Sequence, residues 1–148
     1  MTATEVTSEF ETIAFAQQLA VEMKPGTVLA LVGDLGAGKT QFVKGLAHGL
    51  GSSAPVSSPT FTLVHEYRDG PCPLYHFDFY RVEQSEEIVA IGWDEYLDEE
   101  GVVVVEWADR FPDLMPKKTQ WWQIEILGKD TRRIRLLDQA SPKDYNND

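Results

Sequence analysis

Residues 33 to 40 carry the clearest chemistry in this sequence. They read Gly-Asp-Leu-Gly-Ala-Gly-Lys-Thr, which fits the pattern G-x-x-x-x-G-K-[ST] at every fixed position. Glycines let the backbone wrap around phosphate groups, and the N–H groups of such a turn attract an anion together with the positive end of the following helix. Lys39 would neutralise the β and γ phosphates, and the Thr40 hydroxyl would bind Mg²⁺. The segment therefore predicts a nucleoside triphosphate site contributed by Gly33, Asp34, Leu35, Gly36, Ala37, Gly38, Lys39 and Thr40.

A phosphate loop of this kind needs a second carboxylate near Mg²⁺, usually at the end of a neighbouring hydrophobic strand. Glu106 follows the valine run 102–105, so it would end a buried strand at the edge where α/β sheets hold their ligands. Asp78 would share one face of another strand with His76 and Tyr80. The simpler interpretations are a surface charge at a strand end for Glu106, and a turn or salt-bridge residue for Asp78. Both carboxylates are candidates for the metal or for the attacking water.

The strand and the helix that must hold this loop follow from hydrophobic spacing. Residues Thr27–Gly33 form a short, almost wholly apolar run, which is typical of a strand buried on both faces in a parallel sheet. Apolar residues recur every three or four positions in Thr40–Leu50, so we expect a helix there. An amphipathic helix is also expected at Phe10–Lys24, with Ser8 or Thr7 as its N-cap. A buried strand, a glycine-rich turn and a helix in succession predict an α/β fold.

Segments further along the chain extend the predicted sheet. Residues Gly101–Trp107 predict a second buried strand, and Glu83–Leu97 predicts a helical stretch with a break near Gly92. Two pairs of alternating segments flank turns and predict β-hairpins. These pairs are Phe61–Tyr67 with Leu74–Tyr80, and Trp121–Leu127 with Arg132–Leu137. We expect one domain over residues 1–140 and a polar C-terminal tail over residues 141–148.

The composition excludes several classes of protein. Thirteen Lys and Arg against 24 Asp and Glu give a net charge of 13 − 24 = −11, which disfavours tight, direct binding of nucleic acid by this chain alone. Apolar runs are far shorter than the roughly 20 residues of a membrane-spanning helix. The acidic N-terminus does not resemble a signal peptide, so we expect a cytoplasmic protein. The lone Cys72 excludes an internal disulfide and a structural zinc site built on thiolates.

The residues alone leave open which kind of phosphate-loop protein this is. A GTPase would need an N-K-x-D motif to recognise guanine. The only asparagines are Asn146 and Asn147, which do not form this motif, so a GTPase is disfavoured. A small-molecule kinase remains an alternative, although such enzymes close an Arg-rich lid over their substrates. A nucleotide-gated binding module also remains, in which ATP orders the loop Gly51–Pro59 so that a partner can dock.

Four segments, taken in order along the chain, resemble one known family. The first is the phosphate loop, the second begins Ser-Pro-Thr-Phe, the third reads His-Phe-Asp-Phe-Tyr-Arg, and the fourth ends in Glu-Trp. Their combination is similar to the TsaE family, the small ATPase of bacterial tRNA threonylcarbamoyladenosine (t6A37) biosynthesis. These segments are Gly33–Thr40, Ser58–Val64, His76–Arg81 and Val105–Trp107.

The resemblance implies an α/β, P-loop NTPase-like three-layer domain with a mainly parallel central sheet and antiparallel hairpin strands. It implies ATP and Mg²⁺ as cofactors, with slow ATP hydrolysis that supports turnover of the TsaD–TsaB complex. That complex transfers the threonylcarbamoyl group to adenosine 37, so tRNA would be reached only indirectly. No membrane partner is expected, and the oligomeric state is left open.

The resemblance also carries roles onto individual residues. Lys39 would hold the phosphates, Thr40 and Glu106 would bind Mg²⁺, and Asp78 would assist hydrolysis. Thr60 would act as a switch-like residue in the Ser-Pro-Thr-Phe segment. The expected catalytic residues are thus Lys39, Asp78, Glu106 and Thr60, and the expected nucleotide contacts outside the phosphate loop are Trp107, Arg132 and Glu9.

Overall fold

A seven-stranded mixed sheet forms the centre of the computed structural model, which describes residues 3–138. The polar tail predicted for residues 141–148 lies outside the described residues. The strands are β1 (Ala3–Val6), β2 (Val28–Val32), β3 (Val64–Tyr67), β4 (Leu74–Asp78), β5 (Val102–Glu106), β6 (Gln120–Ile126) and β7 (Arg132–Leu137), and the helices are α1 (Glu9–Val21), α2 (Lys39–Gly49), α3 (Ser85–Ala90) and α4 (Trp93–Asp98).

Strand order explains why the centre of the sheet is so apolar. The order is β1-β7-β6-β2-β5-β4-β3, with parallel pairing from β6 through β2 and β5 to β4. Every residue of β2, β4 and β5 is buried, as expected for parallel strands covered by helices on both faces. Both predicted hairpins are present as antiparallel pairs, β3 with β4 at one edge of the sheet and β6 with β7 next to the other edge strand, β1. The mainly parallel α/β sheet with antiparallel hairpin strands is confirmed.

The structure differs from the predicted elements in several places, and β4 ends at Asp78, so Tyr80 lies beyond the strand predicted for Leu74–Tyr80. Strand β1 pairs antiparallel with β7 and has no counterpart among the predicted elements. Only Val6 of its four residues is buried, so no alternating pattern marks it, and its partner lies more than 120 residues away along the chain. The first hairpin strand begins at Val64 rather than Phe61, because the chain turns at Leu63, whose φ is 72°.

Helices α1 and α2 cover one face of the sheet and pack tightly against each other. Ser8 is the N-cap of α1, as predicted, and its side chain accepts a hydrogen bond from the backbone N–H of Glu11 at 3.1 Å. Gly45 of α2 lies against α1 so closely that an added Cβ would meet the Cβ of Ala16 at 2.7 Å and the carbonyl oxygen of Ile13. The absence of a side chain at Gly45 is therefore what allows the two backbones to approach.

Helices α3 and α4 cover the opposite face with an aromatic cluster. The predicted break falls at Gly92, which separates the two helices with φ 96°. Trp93 packs edge-on against Phe77 with 5.0 Å between ring centroids, and against Phe79 with 5.6 Å.

No helix within residues 3–138 has the length and the apolar character that crossing a bilayer requires.

Candidate nucleotide site

The predicted phosphate loop connects β2 directly to α2. Gly36 and Gly38 have φ values of 84° and 101°, in the left-handed region that side-chain-bearing residues avoid. Gly38 is the N-cap of α2, so the loop passes into the helix with its free N–H groups at the helix start. The local sequence thus builds a turn suited to anions, as the pattern predicts.

Lys39 is held inside this turn. Only 6% of the residue is exposed, and its Nζ donates a hydrogen bond to the carbonyl oxygen of Gly33 at 2.5 Å. The same Nζ lies 4.0 Å from the centroid of the Trp107 ring. Burial lowers the pKa of the Lys39 ammonium, and the carboxylates of Glu106 and Asp78 oppose that shift. A phosphate oxygen entering here would give this poorly hydrated cation a stronger acceptor than a carbonyl group.

The two candidate carboxylates lie side by side at the carboxyl edge of the sheet. Asp78 and Glu106 are register partners in the parallel pair β4 and β5. They are 3% and 4% exposed, respectively, and both contribute to the field that acts on Lys39. Glu106 Oε2 lies 2.6 Å from Nε2 of His76, two residues before Asp78 on β4. The parallel pairing brings these two acidic residues together although they are 28 positions apart in the sequence.

Asp78 is the anchor of the Ser-Pro-Thr-Phe segment. Thr60 donates from Oγ1 to Asp78 Oδ2 at 2.9 Å, and the Ser58 hydroxyl lies 3.3 Å from the same oxygen. The other oxygen, Oδ1, accepts a hydrogen bond from the backbone N–H of Tyr80 at 2.8 Å. Both carboxylate oxygens are therefore engaged, and the carboxylate joins the loop before β3 to the end of β4.

A cavity of about 300 Å³ opens between the phosphate loop, the carboxyl ends of β4 and β5, and the loop before β3. This size is at the lower end of the range for small-molecule sites. Of the predicted site residues, Gly33, Asp34, Ala37 and Arg132 are outside its lining. The lining consists of Glu9, Leu35, Gly36, Gly38, Lys39, Thr40, Gln41, Ser58, Thr60, Asp78, Tyr80, Glu106 and Trp107.

Arg132 supports the phosphate loop from outside this cavity. Its guanidinium donates to the carbonyl oxygens of Gly36 and Ala37, each at 3.2 Å, across more than 90 positions of sequence. A second, smaller cavity of about 100 Å³ lies on that side of the loop, and both Arg132 and Glu9 line it. Glu9 and Arg132, two of the three nucleotide contacts predicted outside the phosphate loop, thus line one small cavity beside that loop.

A sequence model of the family described as threonylcarbamoyl adenosine biosynthesis protein TsaE matches residues 6–135. The chain belongs to the TsaE family. Curated TsaE relatives include a Bacillus subtilis protein that is 49% identical over 124 residues, which span 84% of this chain and 77% of the relative. A Haemophilus influenzae TsaE protein is 31% identical over 141 residues, which span 92% and 89% of the two chains.

A solved structure gives the same assignment for the fold. The crystal structure of YdiB from Bacillus subtilis superposes with a TM-score of 0.80 at 39% sequence identity. The match covers 97% of this chain and 89% of that one. The α/β fold predicted from the resemblance to TsaE is confirmed by this match.

Several residues in this TsaE site were assigned no role from the sequence. Ser58, Tyr80 and Gln41 line the larger cavity, and His76 binds Glu106 beneath it. The alternation of His76 and Asp78 on one strand is a signal in the sequence, but the histidine's partner comes from another strand. No local pattern could have identified that contact.

Asp109 is a further acidic residue near the loop, and it stands in the segment after the Glu-Trp pair. Burial raises the pKa of its carboxyl group, which the nearby charge of Lys39 partly opposes. Its Oδ1 has no hydrogen-bond partner within residues 3–138. The carboxylate therefore adds negative charge near the phosphate loop while its own ionised form is poorly solvated.

The site's donor set fits a magnesium nucleotide. Mg²⁺ in nucleotide sites is held by one or two protein oxygens together with phosphate oxygens and water. The cavity offers the Thr40 hydroxyl at the start of α2 and the Glu106 carboxylate on the facing strand end. Within residues 3–138 there is no group of three or more His, Cys, Asp and Glu side chains that could hold a metal ion by themselves.

Proposed function

We propose that this TsaE-family chain binds ATP with Mg²⁺ in the larger cavity and hydrolyses it, in support of tRNA threonylcarbamoyladenosine formation. The observation that carries the proposal is a cluster of three buried charged residues at the phosphate loop. Lys39 lies at the start of α2, while Glu106 and Asp78 lie on adjacent strand ends, and all three line one cavity. A cation facing two carboxylates gives one group for the phosphates and others for the metal and the water.

Within this proposal, Lys39 holds the β and γ phosphates and the loop N–H groups bind their oxygens. Thr40 and Glu106 would hold Mg²⁺, whose chemistry there would be neutralisation of the charge on the phosphates. Trp107 forms one wall beside the phosphates, since its ring lies against Lys39 Nζ. The smaller cavity, with Glu9 and Arg132, offers a continuation of the site for the rest of the nucleotide.

We expect slow hydrolysis by the chain alone. The group best placed to orient water is Asp78, but its oxygens already accept hydrogen bonds from Thr60 and from the N–H of Tyr80. A shift of the Ser-Pro-Thr-Phe segment would release Oδ2, which Thr60 and Ser58 both contact, to an attacking water. A partner that moves this segment would raise the rate, and the TsaD–TsaB complex is the proposed partner. The threonylcarbamoyl transfer itself would belong to that complex.

The same contacts favour a second candidate, a nucleotide-gated binding module. Phe61 lies in the segment that Asp78 anchors and is 83% exposed. Its ring centroid is 4.5 Å from Cζ of the Arg81 guanidinium. Nucleotide binding near Asp78 would therefore change the presentation of an exposed aromatic side chain. In this version the bound nucleotide, rather than its hydrolysis, controls docking of the partner.

The test is steady-state ATP hydrolysis with Mg²⁺, by the purified chain alone and with TsaD and TsaB from the same organism. A slow basal rate that rises with the pair supports the proposal. Under it, Glu106→Ala and Asp78→Ala retain nucleotide binding and lose hydrolysis. A rate indifferent to the pair contradicts the proposed partner, and equal t6A formation by the complex with a hydrolysis-deficient variant favours the binding module.

A further inference from the structure

His76 is the most deeply buried polar side chain near the site, and the proposed chemistry gives it no task. It is 0% exposed in the middle of β4, on the sheet face covered by α1 and α2. Its neighbours across the strands are His65 on β3 and Val104 on β5. An imidazole surrounded by a hydrophobic core needs a specific reason to be there, because its polar atoms lose water on burial.

The contact with Glu106 accounts for one of the two ring nitrogens. Nε2 lies 2.6 Å from Oε2 of Glu106, and a carboxylate oxygen accepts, so the hydrogen is on Nε2. The other nitrogen, Nδ1, has no hydrogen-bond partner within residues 3–138. If the imidazole served only to fill the core, an apolar side chain would do so without an orphaned nitrogen. The Nε2 contact is therefore the feature that distinguishes histidine from a hydrophobic residue here.

Glu106 depends on this contact for its direction. Glu106 is 4% exposed and ends β5. A charge-assisted hydrogen bond from His76 Nε2 holds its Oε2 in place. A buried carboxylate with one oxygen fixed presents its remaining lone pairs in a defined direction. Ligands to metals are commonly oriented in this way by a hydrogen-bond donor behind them.

We propose that His76 is a positioning residue that orients the Glu106 carboxylate toward the Mg²⁺ of the bound nucleotide. The inference rests on the proposed function, because it requires Glu106 to be a metal ligand. It assigns to the histidine of the His-Phe-Asp segment a role through Glu106, without contact with the nucleotide. Asp78, two residues further along β4, serves the loop before β3, so neighbouring positions of one strand face serve different parts of the site.

The experiment is titration of a fluorescent ADP analogue into the full chain, with EDTA and across a range of Mg²⁺ concentrations. His76→Met removes the donor while keeping side-chain volume. We expect its affinity without Mg²⁺ to stay within about twofold of the parent, whereas the Mg²⁺ concentration for half-maximal tightening rises about tenfold or more. An unchanged Mg²⁺ dependence in a folded His76→Met variant overturns the proposal, and so does an equal loss with and without Mg²⁺.

Two conservative variants separate positioning from a structural role. The amide nitrogen of His76→Gln reaches approximately as far as Nε2, whereas that of His76→Asn reaches only as far as Nδ1. We expect the Mg²⁺ concentration for half-maximal tightening to be close to that of the parent in His76→Gln and close to that of His76→Met in His76→Asn. Equal values for the two variants contradict the inference. His48→Gln, on the exposed side of α2, is the matched control and should match the parent.

A measurement on the parent chain can still overturn the proposal if the variants do not fold. Nitrogen-15 NMR of the imidazole should show the Nε2–H tautomer, with a hydrogen-bonded proton, both without ligand and with Mg²⁺ and ADP. The Nδ1–H tautomer in the Mg²⁺-bound state would overturn the proposal. Glu106→Gln separates the two levels of inference. If it leaves the Mg²⁺ dependence intact, the metal assignment of the proposed function fails; if it weakens that dependence while His76→Met does not, only the role of His76 fails.

Discussion

The two faces of the central sheet bury very different side chains, although the same strands supply both. Toward α1 and α2, strands β4 and β5 contribute His76, Asp78 and Glu106 next to a core of both aliphatic and aromatic residues. Toward α3 and α4, Phe77 of β4 and Phe79, just after the strand, belong to an aromatic cluster. Because side chains alternate along a strand, one five-residue segment can supply the chemistry on one face and packing on the other.

This difference separates the sources of function from those of stability. Buried charges are costly unless they are paired, so the face that carries the site contributes less to folding than its area suggests. The aromatic face has no such cost and can stabilise the strand ends that hold the carboxylates. Substitutions on the aromatic face should therefore alter folding and spare binding, and those at the site should do the reverse.

The largest effect on stability is expected for Trp93→Ala. This tryptophan is 1% exposed, and its indole N–H donates to the Leu114 carbonyl oxygen at 3.0 Å. Its loss should lower the free energy of unfolding by about 3–5 kcal/mol, measured by urea denaturation. Where the variant is folded, affinity for ADP should stay within about twofold of the parent. Phe10→Ala, which alters a 78% exposed aromatic residue, is the control and should change stability by about 0.5 kcal/mol or less.

Lys39→Ala should give the opposite result. We expect nucleotide affinity to fall about a hundredfold, equivalent to about 2.7 kcal/mol, because the buried cation facing the phosphates is lost. Stability without nucleotide should change by less than in Trp93→Ala, because the relief of a buried ammonium group is offset by the loss of the cation beside Glu106 and Asp78. Calorimetric titration with ATP and urea denaturation measure the two quantities. Unchanged affinity would contradict phosphate binding by Lys39. Lys44→Ala, in the same helix, serves as the control.

Gly45→Ala tests the contact between α1 and α2. Its added Cβ would lie 2.7 Å from the Cβ of Ala16 and would also meet the backbone of α1, so the helices must separate. We expect a loss of about 2 kcal/mol in the free energy of unfolding. Gly128→Ala is the matched control, since no atom lies within 4 Å of its added Cβ. If both alanines were tolerated equally, the close approach of the helices would not be a source of stability.

The smallest effect is expected for Asp109→Asn, and it should depend on pH. Burial raises the pKa of this carboxyl group in the folded chain, so folding favours its protonated form. The parent then loses stability as pH rises from the ordinary carboxyl pKa of about 3.9 through the raised value. The neutral amide should make the variant more stable than the parent near pH 7, and the difference should shrink toward pH 4.

Urea denaturation at several pH values measures this difference. Asp113→Asn, an exposed neighbour in the following turn, is the control and should differ from its parent by less at each pH. A variant that is less stable than the parent near pH 7 would mean that attraction between Asp109 and Lys39 exceeds the cost of burial.

Patterns along the chain predicted most of the elements and the central part of the site. The run before Gly33 and the spacing after Lys39 identified β2 and α2, because burial of an element imposes its period on the sequence. The phosphate loop was equally readable, since its glycines and its lysine must be close together to surround phosphates. Glu106 was identifiable because a carboxylate ends a run of four valines.

Contacts between distant segments were not readable in this way. Strand β1 has a single buried side chain, so its pairing with β7 depends on backbone hydrogen bonds that leave no pattern. Arg132 was expected to contact the nucleotide, and its bonds to the carbonyl oxygens of Gly36 and Ala37 follow only from the position of β7. The pairing of Glu106 with His76 depends likewise on the register of two parallel strands.

The sequence by itself determined the glycine-rich turn, the alternation of strands and helices, and the residue types available to the proposed nucleotide and metal. These properties are local, because backbone conformation and hydrophobic period act over a few neighbouring residues. Only the tertiary structure decided that Glu106 and Asp78 both lie near Lys39, that His76 donates to Glu106, and that Asp78 binds the loop before β3. Those contacts join segments brought together by strand order and register, which result from packing of the whole sheet and leave no mark on any single segment.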